Sequence, residues 1–300
     1  MKLRSILLGL SCCLLLTFLS SAGPSTLIRN ILLIDGSGKA PYPASIRIQD
    51  QHILAIGDLK ALKNEKIIDG KGHCLAPGFI DSHSHHFADL QRNPNALSTA
   101  SQGITTIVIG QDGESLPMAV LQQKLQSHPV AVHIASYTGH TSLREQSMGE
   151  KNLLRSASQS EIDAMKKLLA QDLAQGSLGL STGLEYEGAF YSTRDEVLQL
   201  AHVTAAANGR YISHIRSEDI TLADALDEII QIGRIAKIPV QISHIKLAKK
   251  GDWGQATNIL KQLDQARLDG VQLTADIYPY NFWHSTPRIL FPKRDYKNLE

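Results

Sequence analysis

The alternation of apolar and polar positions divides the chain into two regions. Across residues 26–72, short runs such as S-I-R-I-Q (residues 45–49) alternate apolar with polar side chains, and glycine-containing turns separate these runs. A period of two is typical of strands that bury one face. We therefore predict that residues 23–75 form a small β-rich module.

From residue 76 onward, β-branched apolar runs alternate with helical segments. Ser158 with Glu161, and Thr193 with Glu196, have the spacing of capping boxes at helix starts. Strand–helix alternation favours a parallel sheet covered by helices, and seven strands favour a β/α barrel over an open sheet. The predicted strands are 78–80, 104–109, 130–134, 178–180, 211–215, 240–245 and 271–277, and the predicted helices are 162–173, 197–207, 222–236 and 256–268.

The N-terminal residues have the pattern of a secretory signal peptide, which we predict to span residues 1–22. Lys2 and Arg4 precede an uncharged apolar run, and small residues follow it. This run is shorter than the roughly 20 residues of a membrane-spanning helix, so we expect no lasting membrane anchor after cleavage. The mature protein is predicted to be exported, either periplasmic or secreted. Cys74 is the one cysteine beyond residue 22, which excludes an internal disulfide.

The overall composition limits the classes of partner. Charged residues make up 20% of the chain, and the formal net charge is +1. This balance gives no indication of a nucleic-acid partner, because such partners select basic surfaces. Residues 137–155, rich in Gly, Thr and Ser, form the longest predicted loop, and loops of that length are usually functional or disordered.

Polar side chains follow the predicted strands, beginning with A-P-G-F-I-D-S-H-S-H-H at residues 76–86. His83 and His85 are two residues apart, so in an extended chain both point to the same side and can share one divalent metal. A single H-x-H motif is weak evidence, but later strand ends carry similar residues. Functional groups of β/α barrels lie at these C-terminal strand ends. The later candidates are Asp112, His140, Glu185, His214, Arg216, His244, Lys246, Asp276, Tyr278 and Tyr280.

The motifs P-G-F-I-D-S-H-S-H, S-H-I-R, Q-I-S-H-I-K and D-I-Y-P-Y, in this order on successive strands, resemble the amidohydrolase superfamily. Within it, the chain resembles the N-acyl-D-amino-acid deacylases, or D-aminoacylases; G-H-T-S-L-R-E-Q-S-M-G and G-L-S-T-G-L strengthen the similarity. The resemblance covers nearly all of residues 26–280. It implies an α/β fold: a metal-dependent (β/α)8 TIM-like barrel with a small β-sandwich built from both chain ends, of which residues 23–75 supply the N-terminal half.

The resemblance also implies roles for individual residues. One or two Zn²⁺ ions would be held by histidines, and a cationic and a phenolic side chain would bind the substrate carboxylate. Neutral imidazole suits zinc, and cations suit carboxylates. The implied metal ligands are His83, His85, His214 and His244, and the implied substrate-binding residues are Lys246, Arg216, and Tyr278 or Tyr280.

The chain departs from the family pattern at the carboxylate ligand and at the general base. Where D-aminoacylases usually carry G-N-C-G with a ligand cysteine, this chain has G-Q-D-G with Asp112. Other amidohydrolases bridge two metals with a fourth-strand carboxylate or carboxylated lysine; no lysine occupies that strand here, but Glu185 lies near its end. Asp112 and Glu185 therefore remain alternative ligands. The family base, an aspartate on the eighth strand, lies beyond residue 300, so we expect residues 76–300 to form an incomplete barrel of about seven strands.

The predicted function is metal-dependent hydrolysis of the amide bond of N-acyl-D-amino acids, which are small-molecule substrates, releasing a carboxylate and a D-amino acid. A cyclic-amide hydrolase or an isoaspartyl dipeptidase-like amidohydrolase is an alternative, although the missing fourth-strand lysine argues against both. A non-catalytic, truncated metal-binding barrel is a further alternative, and residues 23–300 alone are expected to be inactive.

Overall fold

The computed structural model describes residues 23–291 and Arg294, so the predicted signal peptide lies outside the described residues. The chain divides into two compact units, one ending at Pro77 and the other beginning at Gly78. Across the described residues, no helix combines the length and the apolar character that a bilayer crossing requires.

The N-terminal unit is a five-stranded sheet. Its strand order is β3-β2-β1-β4, and the short β5 also pairs with β1; β1, β2 and β3 are antiparallel neighbours, whereas β4 and β5 run parallel to β1. Leu27, Ile31 and Leu33 of β1 are buried, and a register shift at Asn30, which has a φ of +54°, marks a bulge. The strands are β1 (Thr26–Leu33), β2 (Tyr42–Gln49), β3 (His52–Gly57), β4 (Lys66–Asp69) and β5 (Cys74–Leu75).

The C-terminal unit alternates strands with helices, and every strand pair in it is parallel. Its described strands form the series β6-β7-β8 and the series β9-β10-β11-β12-β13. The strands are β6 (Phe79–Asp81), β7 (Ile104–Ile109), β8 (His133–Ser136), β9 (Thr138–Gly139), β10 (Gly179–Gly183), β11 (Arg210–His214), β12 (Val240–Ile242) and β13 (Leu273–Ala275). The helices are α1 (Phe87–Arg92), α2 (Leu97–Ala100), α3 (Met118–Ser127), α4 (His140–Met148), α5 (Gln159–Ala174), α6 (Arg194–Ala206), α7 (Leu222–Ala236) and α8 (Ala256–Leu268), with short 3-10 turns at Glu150–Asn152, Lys250–Asp252 and Pro287–Leu290.

Both predicted helix starts are present, but only one is a complete capping box. At the start of α5, the Ser158 hydroxyl accepts from the Glu161 N–H, and the Glu161 carboxylate accepts from the Ser158 N–H at 2.7 Å. At the start of α6, Thr193 accepts from the Glu196 N–H at 3.0 Å. The Glu196 carboxylate does not complete the second box, because it is buried against other side chains.

The predicted loop at residues 137–155 is wrong, because most of it forms β9 and α4. His140 and Arg144 lie four residues apart on one face of α4, and both are completely buried. Both side chains contact the carboxylate of Glu196, with 2.9 Å between His140 Nε2 and Glu196 Oε1. The buried face of α4 therefore mixes the polar His140 and Arg144 with the apolar Leu143 and Met148, so it produces no clear apolar periodicity.

The packing of the parallel strands brings their C-terminal ends together. All five residues of β10 are buried, as expected for a strand covered on both faces. Gly183 at the end of β10 pairs with His214 at the end of β11, and Ile242 at the end of β12 pairs with Ala275. The main core fills the space between these strands and helices α5 to α8; it includes Met165, Leu169, Leu180, Val197, Leu200, Leu226 and Ile242.

Candidate metal centre

Four histidine side chains form two pairs at the strand ends, and the two members of each pair face each other. His83 and His85 follow β6, and their Nε2 atoms are 3.2 Å apart. His214 ends β11, and its Nδ1 lies 3.1 Å from Nε2 of His244, which follows β12. Two imidazoles on one tetrahedral zinc, each bonded at about 2.0–2.1 Å, have nitrogens about 3.3 Å apart. Each pair therefore has the spacing of two ligands on one ion.

The carboxylate of Asp112 lies between the two histidine pairs. Its Oδ1 is 3.6 Å from Nε2 of His83 and 3.6 Å from Nε2 of His244, and its Oδ2 is 3.4 Å from Nε2 of His85. Oδ1 is buried and has no hydrogen-bond partner in the described part of the chain. These separations are longer than good hydrogen bonds but suit donors that surround a shared cation.

The same atoms form two possible ligand groups. His83, His85 and Asp112 make one group, and Asp112, His214 and His244 make the other, each with its donor atoms within 4.8 Å of one another. Asp112 is common to both groups. The residues present therefore fit one or two divalent ions of the kind that nitrogen and carboxylate donors bind.

The tight turn after β7 places Asp112. Its φ of +55° lies in the left-handed region, which aspartate tolerates better than most residues. Gly110 has a φ of +74°, and a Cβ there would lie 2.3 Å from the carbonyl oxygen of Tyr137. Gly113 has a φ of +86° and donates its N–H to Ser181 Oγ at 3.0 Å. The two glycines therefore let the backbone pass close to neighbouring strands and present the Asp112 carboxylate to the histidines.

The carboxylates and histidines of the centre stabilise one another's charged forms. Burial alone would lower the pKa of His83, but Asp112 and Asp276 outweigh burial and raise the pKa to about 9. Burial would raise the pKa of Asp112, but the three histidines around its carboxylate hold it well below the usual value. The carboxylate therefore remains ionised and available to a cation.

The outward ring nitrogens of His214 and His244 face other carboxylates. His214 Nε2 is 2.9 Å from Glu185 Oε2, and His244 Nδ1 is 2.9 Å from Glu218 Oε1. Glu218 Oε1 also accepts from the ammonium of Lys246. Glu185, one of the two predicted carboxylate ligands, thus lies on the side of His214 that faces away from His244.

Asp276 contacts the centre from β13. Its Oδ1 is 3.6 Å from His83 Nδ1 and accepts from the His244 N–H at 2.6 Å, while Oδ2 accepts from Gln241 Nε2 at 2.6 Å. Asp276 was predicted at a strand end without a role, and Glu218 was not among the predicted site residues. Glu218 lies in the irregular segment between β11 and α7, where no periodicity indicates the direction of a side chain.

The predicted substrate-binding residues are divided between two locations. A cavity of about 570 Å³ opens over the histidines, and Tyr278 and Tyr280 line it. The ring centroid of Tyr278 lies 6.4 Å from that of His244 and 5.6 Å from the ammonium of Lys246. Tyr280 is farther out, stacked on Tyr278 with 6.3 Å between centroids.

Arg216 is not brought into the centre. Its Nε and Nη2 each donate to the carboxylate of Glu228 on α7 at 2.8 Å. Its Nη1 donates to the carbonyl oxygens of Ser192 and Phe190 at 3.1 Å and 3.4 Å. Arg216 is also absent from the lining of the cavity over the histidines.

Comparison with known proteins identifies the family. Residues 66–287 match the amidohydrolase family. The chain is 33% identical over 285 residues to N-acyl-D-glutamate deacylase of Alcaligenes xylosoxydans xylosoxydans, covering 87% of this chain and 57% of that protein. It is 34% identical over 272 residues to D-aminoacylase of the same organism, covering 83% and 56%. The chain belongs to the amidohydrolase family, as the sequence motifs predicted, and spans about half the length of these curated relatives.

Solved structures confirm the predicted fold. A crystal structure of D-aminoacylase superposes with a TM-score of 0.80 at 30% identity, covering 85% of this chain and 58% of that chain. N-acyl-D-glutamate deacylase from Bordetella bronchiseptica, solved with zinc and a phosphonate inhibitor, gives 0.78 at 31% identity with the same coverage. The α/β architecture with parallel strands is therefore that of the amidohydrolase TIM-like barrel.

Proposed function

We propose that this protein is a zinc-dependent deacylase that hydrolyses the amide bond of N-acyl-D-amino acids and releases a carboxylate and a D-amino acid. The observation that carries the proposal is the placement of Asp112 between two histidine pairs whose nitrogens have metal-ligand spacing. The similarity to N-acyl-D-glutamate deacylase, D-aminoacylase and N-acyl-D-aspartate deacylase supports the choice of substrate class.

The metal ligands in this proposal are the two histidine pairs and the shared Asp112. When bound, zinc supplies a Lewis acid for the amide carbonyl and lowers the pKa of the attacking water to about 7. Asp112 contributes an anionic oxygen, which lowers the net charge of the centre and keeps the imidazoles turned towards the ions. We assign Asp112, rather than Glu185, as the carboxylate ligand, because Glu185 lies on the outward nitrogen of His214.

The substrate carboxylate is held on the β13 side of the centre. The Lys246 ammonium, which is paired with Glu218, lies over the ring of Tyr278 and lines a smaller neighbouring cavity together with His244 and Tyr278. A cation in this position attracts the α-carboxylate and places the amide next to the histidines. Phe282 and Trp283 line the outer cavity and offer apolar walls to the acyl group or the side chain.

The test combines metal analysis with hydrolysis assays. Expressed in a chain that also includes the eighth-strand base implied by the family resemblance, the purified protein should contain zinc and release acetate from N-acetyl-D-amino acids faster than from their L-enantiomers. His244→Ala should lose metal and activity, because it removes a donor nitrogen. Asp112→Asn should bind metal more weakly, because it replaces a charged carboxylate oxygen by a neutral amide oxygen of the same size. His202→Ala is the matched control, since His202 is exposed on α6, and it should leave both properties unchanged. Full zinc content in His244→Ala, or equal rates on both enantiomers, would refute the proposal.

Export belongs to the same proposal. The basic start, apolar run and small residues of residues 1–22 support it. Cell fractionation should recover the activity outside the cytoplasm, from a chain whose N-terminus follows Ala22.

A further inference from the structure

We infer that Glu185 and Glu218 are positioning residues, which hold the outward ring nitrogens of His214 and His244 so that the inward nitrogens face the metal. This inference rests on the proposed metal site. Glu185 Oε2 is 2.9 Å from His214 Nε2, and Glu218 Oε1 is 2.9 Å from His244 Nδ1.

The rings of His214 and His244 face each other with different nitrogen atoms. His214 presents Nδ1 inward, whereas His244 presents Nε2 inward. A histidine coordinates through an unprotonated nitrogen, and the hydrogen bond of its other nitrogen decides which one carries the proton. A carboxylate accepts that proton's hydrogen bond. Glu185 therefore selects the tautomer of His214 with a free Nδ1. Glu218 favours the tautomer of His244 with a free Nε2, and it does so against the Lys246 ammonium, whose Nζ also lies 2.9 Å from Nδ1 of His244 and is drawn to the Glu218 carboxylate.

Both carboxylates are themselves fixed in place. Glu185 and Glu218 are each only 7% exposed. The backbone carbonyl of Glu185 accepts from Nε of Arg294 at 2.8 Å, and that of Glu218 accepts from the Ala248 N–H at 3.1 Å. The Lys246 ammonium is paired with the Glu218 carboxylate. A ring held by such a partner loses little rotational freedom when the metal binds, which raises the affinity of the site.

A third metal ion is the alternative for these residues, because donor atoms of Glu185, His214 and Glu218 also lie within 4.8 Å of one another. The Lys246 ammonium on the Glu218 carboxylate argues against it, since a divalent cation there would meet a fixed positive charge. The spacing argues against it as well. The Glu185–His214 separation is an ordinary hydrogen-bond length, whereas every contact of Asp112 with a histidine nitrogen is at least 3.4 Å.

The experiment compares metal binding by Glu185→Gln, Glu185→Met and Glu218→Gln in the whole protein. Metal stoichiometry is measured at saturation, affinity by competition with a chromophoric chelator, and ligand geometry from the visible spectrum of the cobalt-substituted protein. Glu150→Gln is the control, because Glu150 is exposed in a 3-10 turn and its loss changes the net charge equally. Thermal unfolding of the metal-free proteins checks that each variant folds.

The inference predicts unchanged stoichiometry with weaker binding. Glu185→Met should bind zinc about 10–100-fold more weakly and alter the cobalt spectrum, because the ring of His214 is released. Glu185→Gln should retain part of the affinity, since its amide oxygen still accepts from His214. Loss of one ion per chain in Glu185→Gln, with the remaining sites unaffected, would instead establish a third metal site. Wild-type affinity and spectrum in Glu185→Met would also overturn the inference, whereas a wild-type protein that binds no metal would refute the proposed function itself.

Discussion

Removal of the Arg144 guanidinium should destabilise the C-terminal unit more than most single substitutions. Arg144 is completely buried and forms an ion pair with Glu196, which is also completely buried. Its remaining N–H groups donate to the carbonyl oxygens of Gly188 at 2.9 Å, Arg155 at 2.7 Å and Leu153 at 3.3 Å. Arg144 therefore connects α4 to the segment that follows β10 and to the chain before α5.

The magnitude follows from what Arg144→Met leaves behind. Breaking a buried ion pair by deleting one partner costs about 3–5 kcal/mol, because the other charge stays buried without compensation. Three backbone carbonyls also lose a donor, and an unsatisfied buried group costs about 1–3 kcal/mol where water does not reach it. His140 stays hydrogen-bonded to Glu196 and reduces this cost, so we expect the free energy of unfolding to fall by about 4–6 kcal/mol in total. For a unit of this size, that is a fall in Tm of about 10–20 °C.

Thermal and urea unfolding, followed by circular dichroism, measure this loss. Arg155→Met is the matched control, because Arg155 pairs with Glu161 through a half-exposed guanidinium and should lose no more than about 1 kcal/mol. The double variant Arg144→Met with Glu196→Gln should recover part of the stability, because the uncompensated charge is gone. A loss below about 1 kcal/mol in Arg144→Met, or a double variant worse than the sum of the singles, would refute this account of the cluster.

Two further predictions concern the lysine that binds the substrate and the N-terminal unit. Lys246→Met should raise KM for N-acetyl-D-amino acids at least about tenfold, since a charged hydrogen bond is worth about 1.5–3 kcal/mol. Arg216→Met should instead mainly lower Tm, because Arg216 pairs with Glu228. Similar KM values in wild type and Lys246→Met would contradict the assignment of Lys246 to the substrate carboxylate. The Arg47 guanidinium lowers the pKa of Glu65 to about 2, so the stability that this pair contributes is complete above about pH 4.5 and is lost as the pH falls towards 2. Arg47→Met should therefore flatten the loss of stability between pH 4.5 and pH 2 in denaturant titrations, and an unchanged pH profile would exclude this role for the pair.

The elements that the sequence predicted accurately are those whose buried positions are mainly apolar. The observed bounds of α7, Leu222–Ala236, agree with the prediction, and its buried positions recur at intervals of three and four residues. β7, at Ile104–Ile109, also agrees, because a β-branched run has few alternatives to a strand. The helix α4 was missed since its buried residues include His140 and Arg144, whose partner Glu196 is more than 50 residues away.

The candidate site was predictable to the extent that strand geometry determines it. The H-x-H spacing after β6 places His83 and His85 towards one point, and parallel strands bring His214 next to His244. Ring orientation was not predictable, because it depends on partners from other segments. For that reason both Asp112 and Glu185 remained possible ligands in the sequence.

Arg216 illustrates the same limit for a charged residue. Its type and its position after β11 suggested a partner in the substrate, but α7 presents Glu228 twelve residues later, and a buried carboxylate competes for the guanidinium. Arg216 therefore has a structural role, because it holds a backbone carbonyl of a neighbouring segment. Arg216 binds the Ser192 carbonyl, as Arg144 binds that of Gly188 and Arg294 that of Glu185. Three guanidinium groups thus hold one segment, 185–192, whose first residue contacts His214. The placement of the His214 imidazole therefore depends on three guanidinium groups that hold the backbone carbonyls of this segment, together with the packing of Ala189 in the apolar core.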